Sequence, residues 1–376
     1  MLKPTIQSVI SFAAIAAPTV AFADVERQID ARSGPVMVER LADRLNHPWG
    51  MAFLPDGRLL VTERAGRLHI LSSEGELSEP LEGVPDVASS GQGGLLDVAV
   101  GPDFVSTGWI YLSYSAKGED GSATAVGRGR LDGDTLVGFK TLFHQQPFVD
   151  SNKHFGGRIA FSPDGHLFLT TGERGLFDPA QDLSNHFGTV IRIAPDGSVP
   201  EDNPFVGKGD ARPEIWSYGH RNIQGAAFHP ETNELWIVEM GPRGGDELNR
   251  VERAGNYGWP LVSWGTHYNG ADIPDPPTRP EFIDAYKQWT PVIAPSGMIF
   301  YTGDMFPQWR GSALIGGLRA EAIVRVPFSD GSVTKDAEEE RIHLDARVRD
   351  VEQAPDGSIY VLTDEGNGRI LRLSRQ

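Results

Sequence analysis

The sequence has no cysteine. Disulfide scaffolds, thiolate metal sites and cysteine nucleophiles are excluded together, so stability has to come from core burial or bound metal. Long stretches of helical period are missing as well. Basic residues are in deficit: 34 Lys and Arg stand against 51 Asp and Glu, for a net charge of −17. Nucleic acid and anionic membranes select basic faces, so neither is an expected partner. Several catalytic motifs are also lacking. There is no G-x-G-x-x-G after a strand, no P-loop, no H-E-x-x-H, no complete EF-hand loop and no G-x-S-x-G elbow.

Only one apolar run is long, and it lies at the N-terminus. MLKPTIQSVISFAAIAAPTVAFA starts with Lys3, passes through Ile, Ala and Val, and ends in the small-x-small pattern AFA. This predicts a signal peptide over residues 1–23, cleaved after Ala23, and a periplasmic or secreted protein. A membrane anchor is the competing reading. Pro18 interrupts the run, however, and it falls short of the roughly 20 residues a span needs. Cleavage removes one lysine and no acid, leaving the rest of the chain more negative still.

What the chain has in plenty is turns, with 44 Gly and 27 Pro. One pattern recurs: FLPDGRLLVTERAGRLHIL from Phe53, FSPDGHLFLTTGERG from Phe161 and APDGSIYVLTDEGNGRILRL from Ala354, with weaker copies from Gly101 (GPDFVSTGWIYLSYS) and Phe228 (FHPETNELWIVEMG). Each is a turn of Pro-Asp-Gly type followed by an alternating strand. Repeats of short strands about 45 to 75 residues apart suggest propeller blades. About six blades fit the length, and the segment from Ile299 (IFYTGDMFPQWRGSALIGGL) would be the degenerate fifth blade. The expected fold is all-β, a six-bladed β-propeller of four-stranded antiparallel blades, with residues 24–376 as a single domain. A two-sheet sandwich is the alternative, but it rarely repeats one hairpin five times.

In a propeller, loops from distant blades meet at the axis, where ligands bind. Six polar stretches sit at strand ends: GQGGLLDVAVGPDF (91–104), HFGGRIAF (154–161), SYGHRNIQG (217–225), EMGPRGGDELN (239–249) with GNYGWP (255–260), GGLRAEAIVRV (316–326) and DARVRDVEQAPDG (345–357). His154 titrates near neutrality and suits a general base, although a lone histidine before a strand is more often structural. Arg221, Arg319, Arg347 and Arg349 are far apart in sequence, and arginines gathered in an acidic protein point to an anion. Arg347 and Arg349 alternate on one face of a strand-like stretch. Gly241 and Pro242 form a tight turn able to present carbonyls, which calcium accepts. A solvated acidic loop fits the same residues.

Taken together and in order, these stretches resemble the soluble PQQ-dependent sugar dehydrogenases, the family of soluble quinoprotein glucose dehydrogenase and the aldose sugar dehydrogenases. The match runs from about Pro48 to the C-terminus. The resemblance implies that His154, in its H-x-x-G-R motif, is the base that removes a sugar hydroxyl proton. It implies that Gln92, His154, Arg221, Asn222, Gln224, Arg319, Arg347 and Arg349 meet PQQ, a tricarboxylate quinone. It also implies that the carbonyls of Gly241 and Pro242 hold the calcium that touches PQQ, and that Glu247 with the carbonyl of Tyr257 binds a second, structural calcium. Two positions depart from the family. Lys153 stands where glucose-specific members have aspartate, and Arg319 stands where relatives often have lysine.

The reaction so implied is oxidation of an aldose at C1 to a lactone. Calcium polarises the quinone, Arg221 stabilises the developing charge, hydride passes to C5 of PQQ, and electrons go on to an external acceptor. Residues 265–291 are the expected loop over the site, with Tyr268, Tyr286 and Trp289 as candidate sugar-stacking rings. A monomer or homodimer is expected. Two other readings remain: a calcium-dependent lactonase, and a non-catalytic propeller that binds proteins or glycans.

Overall fold

The computed structural model describes residues 24–334 and 338–375, so the expected signal peptide lies outside the described residues. Six antiparallel sheets stand in a ring. Their inner strands are Pro48–Phe53, Leu95–Val100, Gly156–Phe161, Ile223–Phe228, Pro295–Phe300 and Val348–Gln353, each six residues long. Four sheets have four strands. The blade that starts at Pro48 has three, with residues 77–81 alongside through Ser78 N–H to Ile70 O (2.8 Å) and Leu81 N–H to Leu68 O (2.7 Å). The blade that starts at Val348 has five, because both N-terminal strands join it. Gly34–Leu45 pairs with Gly368–Ser374, and Asp24–Ala31 pairs with Gly34–Leu45. The two ends of the chain thus close the ring within one sheet.

The repeated Pro-Asp-Gly turns all join an inner strand to the second strand of its blade, and their geometry is the same. Gly57, Gly165 and Gly357 have φ of 89°, 86° and 83°, a left-handed conformation that favours glycine. In each turn the glycine N–H bonds back three residues, to Leu54, Ser162 or Ala354. The second strands Leu59–Glu63, Leu167–Thr171 and Leu235–Glu239 are buried at every position. They need apolar residues on both faces because a blade packs against a neighbour on each side. Six apolar clusters fill the six gaps between blades. Leu60, Leu68, Leu95 and Leu112 meet in one gap, and Trp309, Leu314, Val361 and Leu371 in another.

All six inner strands carry a register shift near their start. A bulge re-aims side chains, and the residues at these shifts include Trp49, Asp97, Arg158, Gln224 and Arg349. On the axis, Arg158 pairs with Asp97 (2.9 Å) and Asp350 (3.1 Å). Its guanidinium also lies over the Trp49 ring, 4.5 Å from the centroid. A Cβ on Gly50 or Gly297 would collide with the carboxylates of Asp97 and Asp350, so the axial ion cluster needs glycine on those two strands.

Candidate functional site

Above this cluster, at the end of the ring where the inner strands begin, lies a cavity of 400 Å³. Its lining includes Trp49, Arg64, Gln92, Asn222, Gln224, Arg347 and Arg349. Sequence reasoning found Gln92, Asn222, Gln224, Arg347 and Arg349, and the structure brings them together. It missed Arg64, in TERAG, and Asp364, in TDEG. Asp364 accepts from Arg349 (2.6 Å) and Arg347 (3.2 Å) and faces His47 Nδ1 at 3.2 Å. Burial pushes the Asp364 carboxyl up, but Arg349 and its other partners outweigh this and hold it far below the usual range. Arg319 is exposed, and from its loop it is Leu318 that lines the cavity.

Among the buried arginine Nε atoms without a partner are those of Arg64 and Arg349, which line this cavity, and that of Arg221, which lines a smaller neighbouring one. Buried unpaired N–H groups are costly, and here they belong to cations. Arg221 spends Nη1 on the carbonyls of Met240 (2.9 Å) and Gly241 (2.8 Å). The cavity is thus built for a flat, multiply anionic molecule, with Trp49, Phe155, Met240 and Leu318 as its apolar walls. A planar tricarboxylate such as PQQ fits that donor set.

His154 stands beside this cavity, between Gln92 and Phe155. Its backbone N–H bonds Gln92 Oε1 at 2.7 Å. Its ring Nδ1 lies 2.5 Å from Glu173 Oε1, on a carboxylate with 0% side-chain exposure. Glu173 is the main functional residue that sequence reasoning missed. Burial lowers the His154 pKa, Glu173 opposes this, and Arg221 and Lys153 add to the lowering, with a net downward shift. Burial raises the Glu173 carboxyl, but its bond to His154, with the nearby charges, outweighs this and brings it below its ordinary value. The lowering favours the neutral imidazole, and with Nδ1 on the carboxylate, Nε2 is the ring nitrogen not bonded to Glu173. Lys153 is exposed and packs over Gly175.

The loop after Glu173 is pinned. The buried Arg174 donates to the carbonyls of Lys153 (3.0 Å) and Ser122 (2.8 Å) and to that of Ser151, and stacks 3.7 Å over the Phe155 ring.

The proposed calcium residues lie around a small cavity next to Arg221, lined by Glu239, Gly241, Glu247 and Tyr257. Glu239 bonds His220 Nδ1 (2.9 Å), Arg221 N–H (2.8 Å) and Asn249 Nδ2 (3.1 Å). Burial, and then the nearby Glu239 charge, push the Glu247 carboxyl well above the carboxylate range. The Asn249 Oδ1 is buried and unpartnered. Two carboxylates held close, an orphaned oxygen and turn carbonyls suit a hard cation. Among the described residues no three His, Asp or Glu side chains form a metal cage, so a cation here leans on carbonyls. Pro242 is buried beside this cavity but is not in its lining.

The expected sugar-stacking rings divide. Tyr268 is 69% exposed and lies 6.0 Å from the Arg221 guanidinium. Trp289 is buried and donates to Glu339 (2.7 Å), and Tyr286 packs edge-on to Trp236. Both belong to the flank of their blade, away from the axial cavity.

Fold and site together define a class: a six-bladed propeller with an arginine-lined axial cavity and a histidine–carboxylate pair at its edge. The chain belongs to the glucose/sorbosone dehydrogenase family, whose model matches residues 45–372. It is 46% identical over 354 residues to the aldose sugar dehydrogenase YliI of Escherichia coli, covering 92% of this chain and 94% of that protein. A crystal structure of a glucose dehydrogenase superposes with a TM-score of 0.86 at 43% identity, over 90% of this chain and 99% of the other. The PQQ-bound form of the aldose sugar dehydrogenase from Streptomyces coelicolor does so with a TM-score of 0.73 at 30% identity, over 95% and 99%.

Proposed function

We propose that this protein oxidises aldoses at C1 to lactones, with PQQ as oxidant, and passes the electrons to an external acceptor. The observation that carries the reading is the His154–Glu173 pair beside a cavity ringed by partly unpaired arginines. Nε2 of His154 takes the C1 hydroxyl proton. Glu173 keeps the proton on Nδ1 beforehand and stabilises the imidazolium afterwards. Arg64, Arg347 and Arg349 bind the carboxylates of the cofactor, while Arg221 stands between His154 and the calcium turn to stabilise negative charge. When bound, PQQ supplies the two-electron oxidising capacity and calcium the Lewis acidity that polarises it. In this reading the carbonyls of Gly241 and Pro242 would hold that calcium, and Glu247 with the carbonyl of Tyr257 a second, structural one. Export through the signal peptide at residues 1–23 belongs to the same proposal. Among the described residues no helix is long and apolar enough to cross a membrane.

A calcium-dependent lactonase would place its metal among side-chain ligands on the axis. That place is taken by Arg158, paired with Asp97 and Asp350. The test is dye-linked oxidation of an aldose panel by apo protein, with and without PQQ and calcium. Turnover only with both is the expected outcome. No turnover and no PQQ binding would leave the binding-module reading.

A further inference from the structure

The two oxygens of Glu173 do different work. Oε1 meets His154 Nδ1, and Oε2 accepts the backbone N–H of Phe177 at 3.0 Å. Phe177 is held at φ 65°, ψ −92°. A bulky residue there is strained, and such strain gathers at ligand sites. The ring is 40% exposed. The ring lies 5.6 Å from that of Trp259 and 5.8 Å from that of His267. Trp259 in turn lies 5.3 Å from the Arg221 guanidinium, which also faces Tyr268. His154, Glu173, Phe177, Trp259 and Arg221 thus form one chain of contacts from the base to the arginine beside it. Exposed aromatics cluster here, next to the base, with Leu176 42% exposed at the edge.

We propose that Phe177 is a substrate-contacting, specificity-determining ring, selecting aldopyranoses that present a face of C–H bonds. The inference rests on the reaction proposed above. A pyranose with equatorial hydroxyls carries its axial C–H bonds on its faces, and these pack on an aromatic ring while the hydroxyls stay solvated. A small aldose without a ring has no such face. The Glu173 carboxylate fixes ring and base to each other, so a sugar seated on Phe177 is aligned with respect to Nε2 of His154.

The test uses reconstituted holoenzyme and compares wild type with Phe177→Ala, Phe177→Leu and Phe177→Tyr on glucose, xylose and glyceraldehyde. In Phe177→Ala, KM for the two pyranoses should rise about tenfold, with kcat within about twofold and glyceraldehyde kinetics unchanged. Phe177→Tyr should restore KM and Phe177→Leu should not. Saturation-transfer NMR with 1,5-anhydroglucitol, which has no C1 hydroxyl to oxidise, should show ring C–H contacts in wild type and their loss in Phe177→Ala. Equal KM shifts for all three aldoses, or unchanged KM with unchanged NMR contacts, would overturn the assignment. A wild-type holoenzyme that oxidises no aldose would instead overturn the reaction itself, and the two failures are thereby distinct.

Discussion

His154 Nδ1 and Glu173 Oε1 lie 2.5 Å apart, on a carboxylate sealed from solvent. The pair joins the start of one inner strand to the loop after the next strand of the same blade. Its partners hold the residue at two points: the carboxylate on ring Nδ1 and Gln92 Oε1 on the backbone N–H.

Replacing the base should stop the chemistry and spare the cofactor. His154→Ala is expected to lower kcat by about 10²- to 10⁴-fold, the usual range for a general base. PQQ affinity should stay close to wild type, because the arginines that line the cavity are untouched. Stopped-flow reduction of bound PQQ by glucose measures the first and fluorescence titration the second. Wild-type turnover would remove His154 as the base.

The pH profile follows from the same pair. His154 sits below the ordinary histidine pKa of about 6.5, and it works as a base only when neutral. Activity should therefore rise through a pKa below that value and be full at neutral pH. Glu173 opposes the lowering, so Glu173→Gln should move the acid limb further down while cutting kcat by at least about tenfold through loss of orientation. Lys153→Ala removes a contribution that lowers the pKa and should move the limb up. A limb that ignores both substitutions would belong to another group.

Asp364 is depressed far below the usual carboxylate value. A depressed carboxylate contributes stability that is present above its unfolded pKa, about 3.9, and is lost as pH falls through and below it. Asp364→Asn removes this term at neutral pH and leaves Arg349 buried without its partner, at a cost of about 3 to 5 kcal/mol. Calorimetry of the apo protein should show a clear fall in Tm. Added PQQ should raise the Tm of the variant more than that of wild type, because its carboxylates replace the missing charge. Equal increments would separate Asp364 from the cofactor site.

Chelation tests the calcium turn. If Glu247 holds a cation, apo protein given calcium at a thousandfold excess over Kd should gain about 4 kcal/mol. Glu247→Gln should abolish that gain. It should also raise the metal-free Tm, since it replaces a carboxyl whose charged form burial, and then the Glu239 charge, disfavour in the folded state. Identical melting with calcium and with chelator would argue against the site.

The blades were legible because their turns are chemically marked. Pro-Asp-Gly at Pro55, Pro163 and Pro355 lies between the inner and second strands in each case, and even the degenerate copy after Ile299 lies between Pro295–Phe300 and Ala313–Gly317. The sharing of strands was not legible. Residues 77–81 pair irregularly, and Gly34–Leu45 has to travel to the other end of the chain to find its neighbour. In the site, the arginine stretches stood out against an acidic background, whereas Glu173 did not. A signal was present all the same. An acid falls at or within two residues past the end of the second strand in four blades, as Glu63, Glu173, Glu239 and Asp364, and each bonds a histidine or arginine beside it. Aligning the repeats by their turns brings these acids into register. Phe177 left no such trace, because neither its backbone conformation nor its exposure follows from a pattern of residues.

The pairing of Gly34–Leu45 with Gly368–Ser374 also sets a timetable. Five blades can gather during synthesis, but their inner strands have no closed ring until the last residues appear. The first blade and the last then lock together through contacts more than 300 residues apart, the slowest kind to form. A chain that fastens its first strands to its last cannot finish folding while any of it is still being threaded. The circular design thus delays its own completion, a delay that would suit the export proposed above.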